Sequence, residues 1–128
     1  MSVTCPYCHN FASLMTGDQL YPGRDDLRYK KFWVCEPCDA RCAADVNGKP
    51  TSTMANKALR VARMAAHYAI DQLWKKGHMS RSKMYEWLAW AMHLRADDCH
   101  VALFTASQCR RAVKLAEGKM KEFENEGD

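Results

Sequence analysis

Four cysteines in two pairs, Cys5-Pro6-Tyr7-Cys8 and Cys35-Glu36-Pro37-Cys38, are the residues of this sequence best suited to chemistry. A two-residue spacing lets one tight turn present two thiolates while backbone N–H groups point at the sulfurs. Two such turns supply the four soft donors that a tetrahedral Zn²⁺ prefers. The pairs stand 26 residues apart, each beside a segment that reads as a strand, which is the arrangement of a zinc ribbon. Four protein ligands leave no coordination position open, so the single zinc ion expected here stabilises a fold and does not activate water. The competing readings are four ordinary core cysteines, against which the doubled spacing argues, and a redox C-x-x-C, which wants one pair at a helix N-terminus in a βαβ unit that this region lacks.

Cys42, Cys99 and Cys109 complete the seven cysteines. Cys42 is a weaker alternative to Cys38 as a ligand. Cys109 falls on an apolar helical stripe, where a free thiol behaves as a small hydrophobe, and Cys99-His100 sits in a short linker. No pair among them has ligand spacing, so no second metal site is expected. An HNH-type nuclease would need a histidine base beside a metal-binding His/Asn/Asp set, whereas the five histidines here are scattered. A Cys99-His100 nucleophile pair lacks an orienting carboxylate. No catalytic residue is expected, and the chain is read as non-enzymatic.

The elements that would position the thiolates are short. Phe11 to Thr16 reads as a strand, Gly17-Asp18 as a turn, Tyr29 to Val34 as a second strand, and Arg41 to Val46 as a third. Beyond Pro50 the pattern changes to helical spacing. Ala58, Leu59, Ala62, Ala65, Ala66, Ala69, Ile70 and Leu73 mark a helix from about Thr53 to Lys76, stopped by Gly77. Ser80 or Ser82 caps a second helix to about Leu94, packed through Met84, Tyr85, Trp87, Leu88, Ala91 and Met92 with Trp90 just off that face. Thr105 with Gln108 is a capping-box signature for a third, whose inner side is Cys109, Ala112, Val113, Ala116 and Met120. The expected fold is therefore α+β: an N-terminal zinc ribbon (residues 1–50), built as a β-hairpin or three-stranded sheet, and a three-helix domain (51–128) with an acidic tail, packed as one unit.

Composition narrows the setting. At 128 residues and 48% hydrophobic content the chain is about one globular domain, short enough for a metal staple to matter. The N-terminus has no basic and apolar leader pattern and no apolar run approaches a membrane span, so a cytoplasmic protein without membrane contact is expected. Reduced thiols fit that compartment. The net charge of +4 is uneven: residues 1–50 are balanced, residues 51–121 carry 13 basic against 5 acidic groups, and Glu122, Glu124, Glu126 and Asp128 offset part of the excess.

With both knuckles, Lys31-Phe32-Trp33-Val34-Cys35-Glu36-Pro37-Cys38-Asp39-Ala40 and the later helices in view, the chain resembles a family of small zinc-finger proteins of bacteriophages and prophages. The resemblance runs through Leu59-Arg60, Ala65-Ala66-His67, Leu73-Trp74, Ser80-Arg81, Tyr85, Trp87-Leu88-Ala89, Cys99-His100, Phe104 and Gln108-Cys109. Where that family tends to have Gly after the first knuckle and an aromatic in the strand after the second, this chain has His9 and Arg41-Cys42. The resemblance implies a viral origin, and hence the host cytoplasm, and a zinc-ribbon-plus-helices layout, but no activity.

Two classes of function remain. Lys57, Arg60, Arg63 and His67 on one helical face, Arg110, Arg111 and Lys114 on another, and Lys30-Lys31 beside Phe32-Trp33 are candidates for neutralising phosphates and stacking bases. The same stripes also suit a merely solvated surface, and +4 is modest for a nucleic-acid binder. The alternative is a module that binds and modulates a host protein complex, such as a nuclease complex, a defence effector or RNA polymerase, with Trp33, Trp74, Trp90 and Tyr68 as anchors. The alanine-rich face of the first helix would also allow a homodimer.

Overall fold

The computed structural model describes residues 1–126. The chain divides into two compact units, the first Met1–Ala58 and the second beginning at Leu59.

The first unit is a three-stranded antiparallel sheet in the order β1-β2-β3, with β1 at Ser13–Thr16, β2 at Lys31–Cys35 and β3 at Ala40–Ala44. Register pairs Leu14 with Trp33, Trp33 with Cys42 and Cys35 with Ala40. Trp33, Cys35, Ala40 and Cys42 thereby meet Cys5 and Met54 in one small buried cluster. The first strand is shorter than the sequence suggests because Phe11 makes only an isolated bridge with Thr4 and stays exposed. The second begins two residues late, since Tyr29 lies in the turn before it.

The expected Gly17-Asp18 turn is a single helical turn, α1, at Gly17–Leu20. Its entry has room for glycine alone: the Gly17 N–H donates to the Lys30 carbonyl at 2.8 Å, and a Cβ there would lie 1.6 Å from the Leu27 oxygen.

Helix α2 spans Lys57–Lys75 and so starts four residues later than its apolar pattern implies. The missing turn belongs to the sheet, where Arg41 and Ala55 exchange backbone hydrogen bonds of 3.0 and 2.9 Å and bury Met54 and Ala55. A helix cannot use the same N–H and C=O groups.

In the second unit α2 contributes Ala66, Ile70 and Leu73 to a core shared with α3 (Arg81–Met92) and α4 (Ala106–Glu126). The buried stripe of α2 is narrower than expected: Ala62 and Ala69 are half-buried, whereas Ala58 and Ala65 are exposed. Gly77 follows α2 at φ +81°, the left-handed conformation that ends helices most cheaply in glycine. Ser80 caps α3 by accepting from the Lys83 N–H at 3.2 Å, and His93 closes it in the left-handed region.

At the start of α4 both halves of the capping box form. The Thr105 N–H donates to Gln108 Oε1 at 2.9 Å, and the Gln108 N–H to Thr105 Oγ1 at 3.2 Å. Cys109, Ala112 and Ala116 are buried, with Phe104 among the largest side chains of the core. Glu122, Glu124 and Glu126 form no separate tail, being exposed positions in the last turns of α4; Asp128 lies outside the described residues. Among the described residues no helix is long and apolar enough to cross a membrane.

Candidate metal centre and basic surfaces

The two knuckles converge as their spacing implies. The sulfurs of Cys5, Cys8, Cys35 and Cys38 all lie within 4.8 Å of one another, with Cys8 Sγ and Cys35 Sγ 3.6 Å apart. A tetrahedron with Zn–S bonds of about 2.3 Å has edges of about 3.8 Å, so this donor set suits one structural zinc ion. Cys35 comes from the end of β2, and Cys38 from the turn into β3. Cys5 and Cys8 lie in the N-terminal turn, where the Cys5 N–H donates to the Asn10 carbonyl and the His9 N–H to the Cys5 carbonyl. The next residue after each knuckle, His9 at φ +66° and Asp39 at φ +49°, is left-handed. That is the conformational reason glycine suits such a position and the one feature of the site that residue types alone did not signal.

The electrostatics of the cluster call for a cation. Burial opposes ionisation of Cys5, yet N–H groups of Cys8 and Tyr7 and the thiols of Cys35 and Cys8 together lower its pKa to about 7. Cys35 moves the other way. The Cys38 N–H favours its thiolate, but burial and the Cys8 and Cys5 thiols outweigh that bond. Cys38 is pushed up to about 12, first by its contact with the Cys8 thiol and then by burial. Cys5 ionises readily while Cys35 and Cys38 resist following, since like charges accumulate in a small space. A divalent cation bound by all four would remove that repulsion and join the N-terminal turn to the sheet. Cys42 stands outside the four, buried against Trp33 instead.

The candidate binding residues differ in how far their side chains are already engaged. Trp33 is a core residue whose Nε1 donates to the Gly48 carbonyl at 2.7 Å, so it is corrected from a stacking or anchoring side chain to a packing one. Lys31 Nζ reaches the Val46 carbonyl at 2.9 Å, and Arg63 Nε the Phe104 carbonyl at 3.0 Å. His67 Nδ1 meets Asp71 at 3.2 Å, and Trp74 Nε1 donates to the same carboxylate at 3.0 Å. Arg60 is half-buried and also partnered. Lys30, Lys57 and Arg110 are exposed.

One set meets between two helices. A groove of about 410 Å³ between α3 and α4 is lined by Trp87, Trp90, Ala91, Lys114 and Lys119, and Arg111 reaches the Ala91 carbonyl at 3.3 Å. Lys119 lies 5.7 Å from the Trp87 ring centroid and contacts Glu122 at 3.4 Å. Sequence spacing placed Trp90 off the packing face but gave no sign that Lys114 and Lys119 would border it, because that depends on how two helices pair.

Four converging thiols on a three-stranded sheet, followed by three helices, define a protein of the zinc-ribbon class. The chain belongs to the DUF3268 family of zinc-finger-containing domains, whose model matches residues 1–119. That membership agrees with the resemblance to phage and prophage zinc-finger proteins. No curated protein and no solved structure matches the chain.

Proposed function

We propose that this protein is a non-enzymatic nucleic-acid-binding module that holds a single strand in the α3–α4 groove, while the zinc ion serves folding alone. The observation that carries this function is Trp90, a large aromatic 76% exposed beside Lys114 and Lys119. A buried ring would serve packing; an exposed ring in a groove that lysines also line is a platform for a base, with Lys114 on the same groove for its phosphate and Lys119 shared with Glu122. A saturated four-thiolate site also gives a bound metal no open position for water or substrate, in keeping with a binding role.

The test is the salt dependence of binding to a labelled single-stranded oligonucleotide. Trp90→Ala should weaken binding by about 1–3 kcal/mol at any salt. Lys114→Ala should reduce the slope of log K against log salt by about 0.7. No binding at 50 mM salt would end the proposal.

A second reading, modulation of a host protein complex, is favoured by one observation. Val61, Met64 and Tyr68, at helical spacing on α2, are 56%, 71% and 71% exposed. Such an apolar stripe suits a protein partner better than a phosphate backbone. Recovery of one stoichiometric protein from lysate, lost in Met64→Glu, together with absent oligonucleotide binding, would favour that role.

A further inference from the structure

A second cavity, of about 470 Å³, opens in the helical unit among α2, α3 and the turns after α3, and no function above uses it. Its volume lies in the range of small-molecule sites, about 300–1,000 Å³. Buried Cys99 and Val101 contribute apolar surface to it, and its polar groups are His67, Arg81, Ser82, Tyr85, Glu86 and His100.

Three features define what such a cavity would take. The Arg81 guanidinium lies 5.0 Å from the centroid of the half-buried Tyr85 ring, which brings together two planar groups of the kind on which bases stack. The His67 ring is held through Nδ1 by Asp71, which leaves Nε2 for another partner, and His100 is exposed, its carbonyl taken by the Leu103 N–H but its ring without a hydrogen bond to the described residues. Glu86 is exposed on the same rim, an acceptor without an ion-pair partner among the described residues. A simple anion would be repelled by Glu86, and the rim residues form no cluster of metal donors among the described residues. A flat ligand with N–H donors on one edge and an anionic group on another satisfies all three features.

We propose that this cavity binds a single nucleotide whose base carries an exocyclic amino group, guanine best. The base packs against Arg81 and Tyr85, its amino edge faces Glu86, and the phosphate lies toward the histidines and the Ser82 hydroxyl. Guanine presents two adjacent N–H donors to a carboxylate, whereas uracil flanks its one N–H with carbonyl oxygens that a carboxylate repels. The nucleotide is either free or an unpaired residue of a strand. Glu86 precedes Trp90 by four residues on α3, about 6 Å along the helix axis, so a strand stacked on Trp90 brings its next base to this rim. The strand source rests on the groove function proposed above; the free-nucleotide source does not.

The experiment uses the full-length zinc-loaded protein, titrated with GMP, AMP, UMP and inorganic phosphate by calorimetry, with amide shifts followed by NMR. GMP should bind at least about tenfold tighter than UMP and move the amides of Tyr85, Glu86 and Cys99. Glu86→Gln, an exposed substitution checked for retained helicity, should erase the GMP preference. Equal binding of GMP and UMP, phosphate matching GMP, or no shifts at millimolar nucleotide would each overturn the proposal. Tighter binding of a guanine-containing oligonucleotide than of GMP at the same amides identifies the strand as the source, and equal binding the free nucleotide. Trp90→Ala separates the two sites: it should weaken the oligonucleotide and leave GMP untouched, so failure of the groove function alone would appear as GMP binding without oligonucleotide binding.

Discussion

A cysteine in the helical unit and one in the ribbon share a side chain and have opposite uses. Cys99 is held protonated by burial, and Cys109 likewise, although Arg63 and Arg110 partly oppose the shift. Neither joins the metal-binding cluster, and both pack in the helical core. Their folded-state pKa values stand above the unfolded value of about 8.5, so the folded state holds these protons more tightly. The associated stability is complete below that pH and declines as pH rises through the raised folded values. The denaturation midpoint of the helical unit should therefore fall between pH 7.5 and 9.5, and the Cys99→Ala, Cys109→Ala double variant should show a flatter profile. An unchanged midpoint in the wild type across that range would contradict the linkage.

Among the elements, the connection from β1 to β2 carries a steric lock at Gly17. Gly17 starts α1 with its Cα against the Leu27 carbonyl, and any side chain must displace backbone. Gly17→Ala should cost about 1–3 kcal/mol or more, read as a lower unfolding midpoint of the sheet and easier loss of zinc to a chelator. Gly23→Ala is the control, since nothing lies within 4 Å of a Cβ there. The sequence marked this stretch as a turn from its residue types; the helical turn and its steric lock come from Leu27 and Lys30, whose approach is a tertiary event. The capping box at Thr105 was legible because its partners lie three residues apart, close enough for local geometry to fix the bonds.

For the whole molecule, two units have two sources of stability. The helical unit owns a core of large side chains such as Phe104, Ile70, Leu73, Met84 and Leu88. The ribbon has a small cluster in which two of the six buried residues are themselves metal-binding cysteines. Its stability therefore depends on the metal, as expected for a unit with so little apolar surface to bury. Cys35→Ser should leave the ribbon unable to retain zinc and without stable sheet structure, while far-UV circular dichroism keeps most of its helical signal. Stoichiometric zinc in the purified variant, or an unchanged thermal transition of the ribbon, would refute a folding role for the metal.

The sequence by itself determined the four thiols, the three helices and most of their inner faces, because knuckle spacing and helical periodicity are local and repeat every few residues. Tertiary structure decided where α2 begins, since Ala55 is claimed by a strand 14 residues earlier through Arg41. It also decided where individual charged and aromatic side chains lie. Trp33 turned inward to Gly48, Arg63 was taken by Phe104, and Trp90 came to lie beside Lys114 and Lys119. Those outcomes depend on partners 14 to 41 residues distant in the chain, and a pattern read along one segment carries no information about which distant backbone groups a side chain will satisfy.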